Sequence, residues 1–170
     1  MPNNCSFSIS VKGEPKEIKK FLKYFIFSDE EGTKEGKYLA RTFLDNWTHK
    51  EFLEEHKDEI KNKEVFFFGW SAWSCYSCWF EGYPNGKDCL TMEEVLKKCK
   101  VIIDVESEEG GIGFEEHINN EDGELTYSVM DMPSYTCKKC KKKTLFPSHY
   151  DGSELEDQEC CSCGVVGKWK

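Results

Sequence analysis

Two Cys-x-x-Cys pairs near the end of the chain constrain its folding more than any other feature. Cys137 and Cys140 form the first pair, and Cys160 and Cys163 form the second. Two such pairs bring four thiolates to one ion at the tetrahedral angles that Zn²⁺ prefers. Gly164, directly after the second pair, permits the tight turn with which such a knuckle ends. The spacing predicts a zinc ribbon in residues 134–170 with these four cysteines as ligands.

Metal binding would supply most of the folding free energy of this short tail, on the order of 10–16 kcal/mol for a structural zinc site. Iron is the alternative ion, and a reduced or disulfide-linked tail is the alternative to any metal site. Cys161 is a spare thiol that we expect to point away from the metal. His149 is an alternative ligand if one of the four cysteines does not bind.

Four further cysteines raise the hypothesis of a second zinc site: Cys75, Cys78, Cys89 and Cys99. One Cys-x-x-Cys pair with scattered partners is a weak pattern, so packing thiols are the default interpretation. Cys99 falls on the apolar stripe of a predicted helix, where a thiol behaves as a small hydrophobic group. A redox function of Cys75 would require a helix N-terminus there, whereas Pro84 and Gly86 favour a loop.

The first part of the chain predicts a strand followed by a helix. Residues 5–12 alternate between apolar and polar side chains, with a period of two that is typical of a half-buried strand. The apolar face consists of Cys5, Phe7, Ile9 and Val11. Apolar residues then recur at helical spacing, at Ile18, Phe21, Leu22 and Phe25. Residues 28–36 are polar and predict a loop, and residues 38–44 fit either a strand or a short helix.

Capping boxes mark two more helices. Thr48 and Glu51 predict a helix that ends near Lys61, and Thr91 and Glu94 predict a second, shorter helix. Three strands follow the second helix, at residues 101–106, 114–118 and 124–130.

The segment Val65–Trp73 is apolar on both of its alternating faces, which predicts a central strand covered on both sides. Its aromatic side chains could alternatively form a platform on which RNA bases stack. The surrounding acidic charge disfavours that alternative, so we expect Phe66, Phe68 and Trp70 to pack in the core. The order of elements indicates an α+β sandwich with helices on one face of the sheet. Met132–Ser134 is the predicted boundary between a domain at 1–133 and the ribbon at 134–170.

Several motifs resemble the YubB-type family of ferredoxin-like proteins from plasmids, prophages and other mobile elements. They are Met1–Cys5, Glu14–Ile18, Ser71–Ser74 and Gly111–Phe114, with Ile9, Val11 and Gly13 between the first two. The resemblance covers about residues 1–130. It departs from the family pattern at Asn4 and at Cys75–Tyr76. It implies a split βαβ sheet and a role on a mobile element, and it implies no activity or catalytic residue.

Charge divides the chain at the same boundary. Residues 134–170 contain seven lysines and five acidic residues, which leaves 16 basic and 27 acidic residues in 1–133. The acidic part disfavours nucleic acid, because affinity for phosphates depends on lysine and arginine. The ribbon lysines Lys138–Lys143 are the alternative nucleic-acid contact, although four thiolates with Zn²⁺ carry a net charge of −2.

The sequence contains no catalytic motif: no Ser/His/Asp arrangement, phosphate-binding loop or HExxH. No apolar run approaches the ~20 residues of a membrane helix, and Met1–Ser10 does not have the pattern of an export signal. We therefore expect a cytoplasmic, non-enzymatic accessory protein with reduced cysteines. It would act through protein contacts, with nucleic-acid binding as the alternative function.

Overall fold

A seven-stranded sheet organises the chain as far as Asp131. The computed structural model describes residues 4–29, 38–82, 89–109, 113–146 and 152–170. The strands are β1 Asn4–Gly13, β2 Ile26–Phe27, β3 Thr42–Leu44, β4 Glu64–Ala72, β5 Val101–Glu109, β6 Phe114–Asn119 and β7 Thr126–Asp131. Their order in the sheet is β2-β3-β4-β1-β5-β6-β7, and only the β2–β3 pair is parallel. The fold class is therefore mixed α+β, as the sequence predicted.

Five helices pack against one face of this sheet: α1 Pro15–Leu22, α2 His49–Glu55, α3 Lys57–Lys61, α4 Cys75–Trp79 and α5 Met92–Lys98. Both predicted capping boxes are present, at Thr48 with Glu51 and at Thr91 with Glu94. The single helix predicted from Thr48 to Lys61 is instead two short helices that meet at His56. Residues 38–44 contribute only the short strand β3.

Strand β1 lies between β4 and β5 and carries the predicted alternation. Cys5, Phe7, Ile9 and Val11 are buried beneath the helices. The serines between them face the opposite side of the sheet, where no described helix lies. The sheet therefore has one covered face and one open face.

The prediction that β4 is covered on both sides is wrong. Val65 and Phe67 point into the core, but the side chain of Phe66 is 49% exposed and that of Phe68 is 67% exposed. Both lie on the open face, since all five helices cover the other one. The strand also ends at Ala72, and Trp73 takes a left-handed backbone conformation with φ of 76°.

Gly69 leaves room for aromatic packing in the core. A Cβ atom on this residue would lie 2.7 Å from the Phe43 carbonyl oxygen and would collide with the Phe7 ring. That ring packs edge-on against Trp79 at a centroid distance of 5.4 Å. The indole Nε1–H of Trp79 donates to Thr42 Oγ1 at 2.8 Å, and the Thr42 hydroxyl donates to the Ala40 carbonyl at 3.0 Å.

A second, smaller unit follows the sheet. It contains strands β8 Ser134–Thr136 and β9 Lys143–Leu145 and the helix α6 Gly152–Asp157. A separate core of Cys137, Phe146, Cys160 and Trp169 holds it together.

Some sequence predictions fall outside the residues that the structure describes. His149, Pro84, Gly86, Gly110–Ile112 and most of the predicted loop at 28–36 are among them. Within the described ranges, no helix is long and apolar enough to cross a membrane.

We expect Thr42→Val to destabilise the protein by about 2 kcal/mol, because it leaves the buried Trp79 N–H and the Ala40 carbonyl without their partner. Thr42→Ser keeps the hydroxyl and removes one methyl group, so its cost should stay below about 1 kcal/mol. Urea denaturation followed by tryptophan fluorescence measures both values. An equal decrease in the free energy of unfolding in both variants would show that the Thr42 hydroxyl does not contribute to stability.

Candidate metal centre and open-face groove

The four cysteines of the predicted ribbon lie together. Cys137 and Cys140 are in the turn between β8 and β9, and Cys160 and Cys163 follow α6. All four Sγ atoms lie within 4.8 Å of one another, with 3.7 Å between Cys137 and Cys163 and 3.6 Å between Cys140 and Cys160. A tetrahedron with metal–sulfur bonds of about 2.3 Å has edges of about 3.8 Å. The cluster is therefore compatible with a metal site.

The two cysteine pairs have the same local backbone. Lys141 and Gly164 each follow the second cysteine of a pair, and their φ angles are 63° and 66°. Their N–H groups donate to the carbonyls of Cys137 and Cys160 at 2.9 and 2.8 Å. The sequence indicated this turn at Gly164, whereas at Lys141 a side chain occupies a conformation that favours glycine.

Hydrogen bonds distribute the thiol protons unevenly within the cluster. The backbone N–H of Cys140 lowers the pKa of Cys137 to about 6. The Val165 N–H lowers the pKa of Cys163, but desolvation and the three neighbouring thiols together raise it by more. The net result is a pKa raised to about 11. A metal ion bound by four thiolates must displace the remaining protons, so its affinity should increase with pH.

Aromatic side chains pack beside the four-cysteine cluster. The spacing of the cysteines did not predict them. Phe146 and Trp169 pack edge-to-face at 4.8 Å, and Trp169 Nε1–H donates to the Gln158 carbonyl at 3.1 Å. Cys161 is exposed, as expected of a spare thiol.

The structure does not gather the second predicted set of cysteines. Cys75 and Cys78 belong to α4, whereas Cys99 ends α5 near Lys20 and Glu17. Among the described residues, no cluster of three or more metal-binding side chains includes Cys78, Cys89 or Cys99.

Cys75 begins a helix, so the expected loop at this position is wrong. Ser74 caps α4 by accepting the Ser77 N–H at 2.9 Å. Nevertheless, the thiols are not activated as a redox pair would require. Burial raises the pKa of Cys75 well above its usual value and raises that of Cys78 to about 12, and a hydrogen bond with the Ala72 backbone offsets only part of the latter shift.

The helix N-terminus is occupied by a buried carboxylate that the sequence did not single out. Glu116 of β6 is 3% exposed and accepts the N–H groups of Cys75 at 2.8 Å and Tyr76 at 3.1 Å. Ser107 Oγ and the Tyr127 hydroxyl also donate to it, at 2.7 and 3.2 Å. Desolvation and the adjacent Glu116 raise the pKa of Tyr127.

A groove of about 510 Å³ crosses the open face of the sheet. Ser6 and Ser8 of β1 form its floor, Phe68 forms one wall and Met130 forms the other. Beside Phe68 the aromatic surface continues through Phe66, whose ring centroid lies 4.9 Å from that of Phe68. We call Phe66 and Phe68 the aromatic column.

Acidic side chains line the other half of the groove. Glu106 and Glu108 of β5 and Glu115 of β6 contribute carboxylates, and we call these three residues the acidic row. Among the residues that the structure describes, the lining includes His117 but no lysine or arginine. His117 Nε2 lies 2.7 Å from an Asp104 carboxylate oxygen at the edge of the groove. Along β6, Glu116 points into the core, whereas Glu115 and His117 lie on the open face.

Comparisons with protein-family models, with curated proteins and with solved structures found no match to this chain.

We expect Cys160→Ser to remove one bound metal ion per chain and to make residues 134–170 sensitive to protease, because the small core of this unit does not hold three remaining ligands in place. The sheet should remain intact, since its core is separate. Cys161→Ser is the matched control and should change neither result. Elemental analysis and limited proteolysis with mass spectrometry measure the two effects. Equal metal content in wild type and Cys160→Ser would contradict the site.

Proposed function

We propose that this chain is a zinc-binding accessory protein that uses the open face of its sheet to bind a basic segment of a partner protein. The observation that carries the proposal is the aromatic column beside the acidic row, on a face that no described helix covers. A basic segment with flanking apolar groups matches both halves of this surface.

The aromatic column supplies the apolar half of such an interface. Phe68 is two-thirds exposed, and burial of a phenylalanine side chain contributes about 1.5–3 kcal/mol. A lysine or arginine above such a ring gains a further cation–π attraction. Exposed aromatic side chains that become buried in a complex are typical binding hot spots.

The acidic row supplies charge complementarity. Its carboxylates lie near the serines at the centre of the groove, so a cation above Ser8 would meet acidic side chains on one side and Phe68 on the other. The excess of 11 acidic residues in 1–133 adds a long-range field that attracts cationic partners and repels phosphates.

Zinc is the ion that best suits the four-cysteine cluster. Four protein thiolates fill a tetrahedral coordination sphere and leave no open position for a substrate, which is typical of a structural site. The ribbon contacts the sheet near Gly113, where Leu145 packs against the glycine and the Met132 N–H donates to its carbonyl at 2.8 Å. We infer that the metal orders this unit and performs no chemistry.

The strand arrangement supports a ferredoxin-like core and the YubB-type resemblance. Strand β4 is antiparallel to both β1 and β3 and lies between them, so β1, α1 and β3 form a split βαβ unit. On this interpretation β2, β6, β7 and the ribbon are additions. A mobile-element origin would make a bacterial host protein the partner, by analogy with the family alone.

Binding of a fluorescent nine-residue peptide of alternating arginine and leucine tests the proposed face. We expect Phe68→Ala and Glu106→Lys each to weaken binding by about tenfold, equivalent to 1.4 kcal/mol. Glu93→Lys makes the same charge change on α5, away from the groove, and should alter the affinity less than about twofold. Fluorescence anisotropy at two salt concentrations gives the dissociation constants.

An equal loss of peptide affinity in Glu106→Lys and Glu93→Lys would show that only the net charge attracts the peptide, which would contradict the proposal. A stable dimer of the wild-type chain that Phe68→Ala dissociates would instead make the open face a self-association surface. Size-exclusion chromatography with light scattering distinguishes that outcome.

Nucleic-acid binding by the ribbon is the second candidate. The observation that favours it is a cluster of exposed lysines on the first knuckle: Lys138, Lys139, Lys141, Lys142 and Lys143. Residues 134–170 contain seven lysines against five acidic residues, whereas residues 1–133 have an excess of 11 acidic residues.

We expect any oligonucleotide affinity to fall steeply with salt, and reversal of Lys141, Lys142 and Lys143 to glutamate to abolish it. A matched reversal of the exposed Lys50, Lys57 and Lys61 on α2 and α3 should have little effect. Gel shift with a duplex and a single-stranded oligonucleotide in low salt is the measurement. No shift with the wild-type chain would exclude this function.

A further inference from the structure

A second cluster of metal-binding side chains lies inside the body, where α4 meets β1 and β6. It consists of Cys5, Cys75 and Glu116, all of them buried. The two Sγ atoms and a carboxylate oxygen lie within 4.8 Å of one another, and Cys5 Sγ is 3.9 Å from Glu116 Oε2. For metal–sulfur bonds of about 2.3 Å and metal–oxygen bonds of about 2.1 Å, tetrahedral geometry requires separations of about 3.6–3.8 Å.

Hydrogen-bond donors surround the Glu116 side chain, among them the Cys5 thiol, whose Sγ lies 3.9 Å from Oε2. Two backbone N–H groups, one serine hydroxyl and one tyrosine hydroxyl all donate to its two oxygens. Within the described residues, no lysine, arginine or histidine lies within ion-pair distance of this carboxylate. A buried charge without a counter-ion is costly, and a bound cation would remove that cost.

We propose that Cys5, Cys75 and Glu116 bind a second divalent, thiophilic metal ion of the Zn²⁺ class. Two thiolates and one carboxylate are a ligand set that Zn²⁺ accepts, with Ser71 Oγ, 3.5 Å from Cys75 Sγ, or a water molecule as the fourth ligand. Binding forms two metal–sulfur bonds and one metal–oxygen bond, replaces water ligands of the hydrated ion and releases the two thiol protons to solvent, so no electrons are transferred. Ser107 and Tyr127 orient the carboxylate as outer-shell partners.

The Cys-x-x-Cys spacing of Cys75 and Cys78 does not identify this site. Cys78 Sγ–H donates to the Ala72 carbonyl at 2.9 Å and lies outside the cluster. The second thiol comes from β1 instead, because Cys5 pairs in register with Ser71 at the end of β4 that leads into α4. The three proposed ligands are far apart in the sequence, so no local motif indicates that they form a site.

Complete burial of the three ligands has a kinetic consequence. An ion at this position has no solvent-exposed ligand, so we expect it to be enclosed during folding and to resist chelators. The ribbon cluster has half-buried thiols at Cys140 and Cys163 and should release its ion faster. This inference does not depend on the partner proposed for the open face.

Metal content of chain purified under reducing conditions without chelator tests the proposal. We expect two zinc ions per wild-type chain and one in the Cys160→Ser/Cys163→Ser variant, which lacks the ribbon site. Cys5→Ala should lower the wild-type content from two ions to one, whereas Cys99→Ala, which removes a buried thiol elsewhere, should leave two. When cobalt replaces zinc, the ribbon-deficient variant should show the charge-transfer band of two thiolates, which is weaker than that of a four-thiolate site.

One zinc ion per wild-type chain and none in the folded ribbon-deficient variant would overturn the proposal. A Cys5–Cys75 disulfide, detected by intact mass in that variant, would overturn it as well. If circular dichroism shows that Cys5→Ala does not fold, the zinc content of the ribbon-deficient variant alone decides between the outcomes.

Discussion

One-sided burial of the sheet is the constraint on which the rest of the structure depends. Strand β1 pairs with β4 and β5 along almost its whole length, and every apolar side chain on its inner face is covered by helices. Because α1 to α5 occupy that one side, the other side must be either polar or a contact surface. The open face is both, since the serines of β1 separate the aromatic column from the acidic row.

Glu116 connects the sheet to the helix α4 inside the core. Its carboxylate contacts α4 through two N–H groups, β5 through Ser107 and β7 through Tyr127. A single charged side chain thereby fixes the start of α4 against three strands. The same carboxylate lies beside two buried thiols, which makes this position polar inside a largely apolar core. Such an arrangement stabilises the fold only if the charge is fully satisfied.

The ribbon follows a different physical rule from the sheet. Its own core is small, with Phe146 and Trp169 as the main apolar groups, so most of its folding free energy would have to come from a bound ion. The sheet has a core large enough to fold without one. The role proposed for a metal ion therefore differs between the two parts: in residues 134–170 it would supply folding free energy, and in the sheet it would neutralise a buried carboxylate.

The sequence by itself determined what depends on local spacing. Period-two alternation located β1, the Thr-x-x-Glu boxes located the starts of α2 and α5, and two Cys-x-x-Cys turns located the ribbon cluster. Tertiary structure alone decided which side of β4 is covered, because apolar residues on both faces of a strand do not reveal where the helices pack. It also decided that Cys5, Cys75 and Glu116 meet. Their proximity follows from strand register and sheet order, which long-range packing sets and local sequence does not encode.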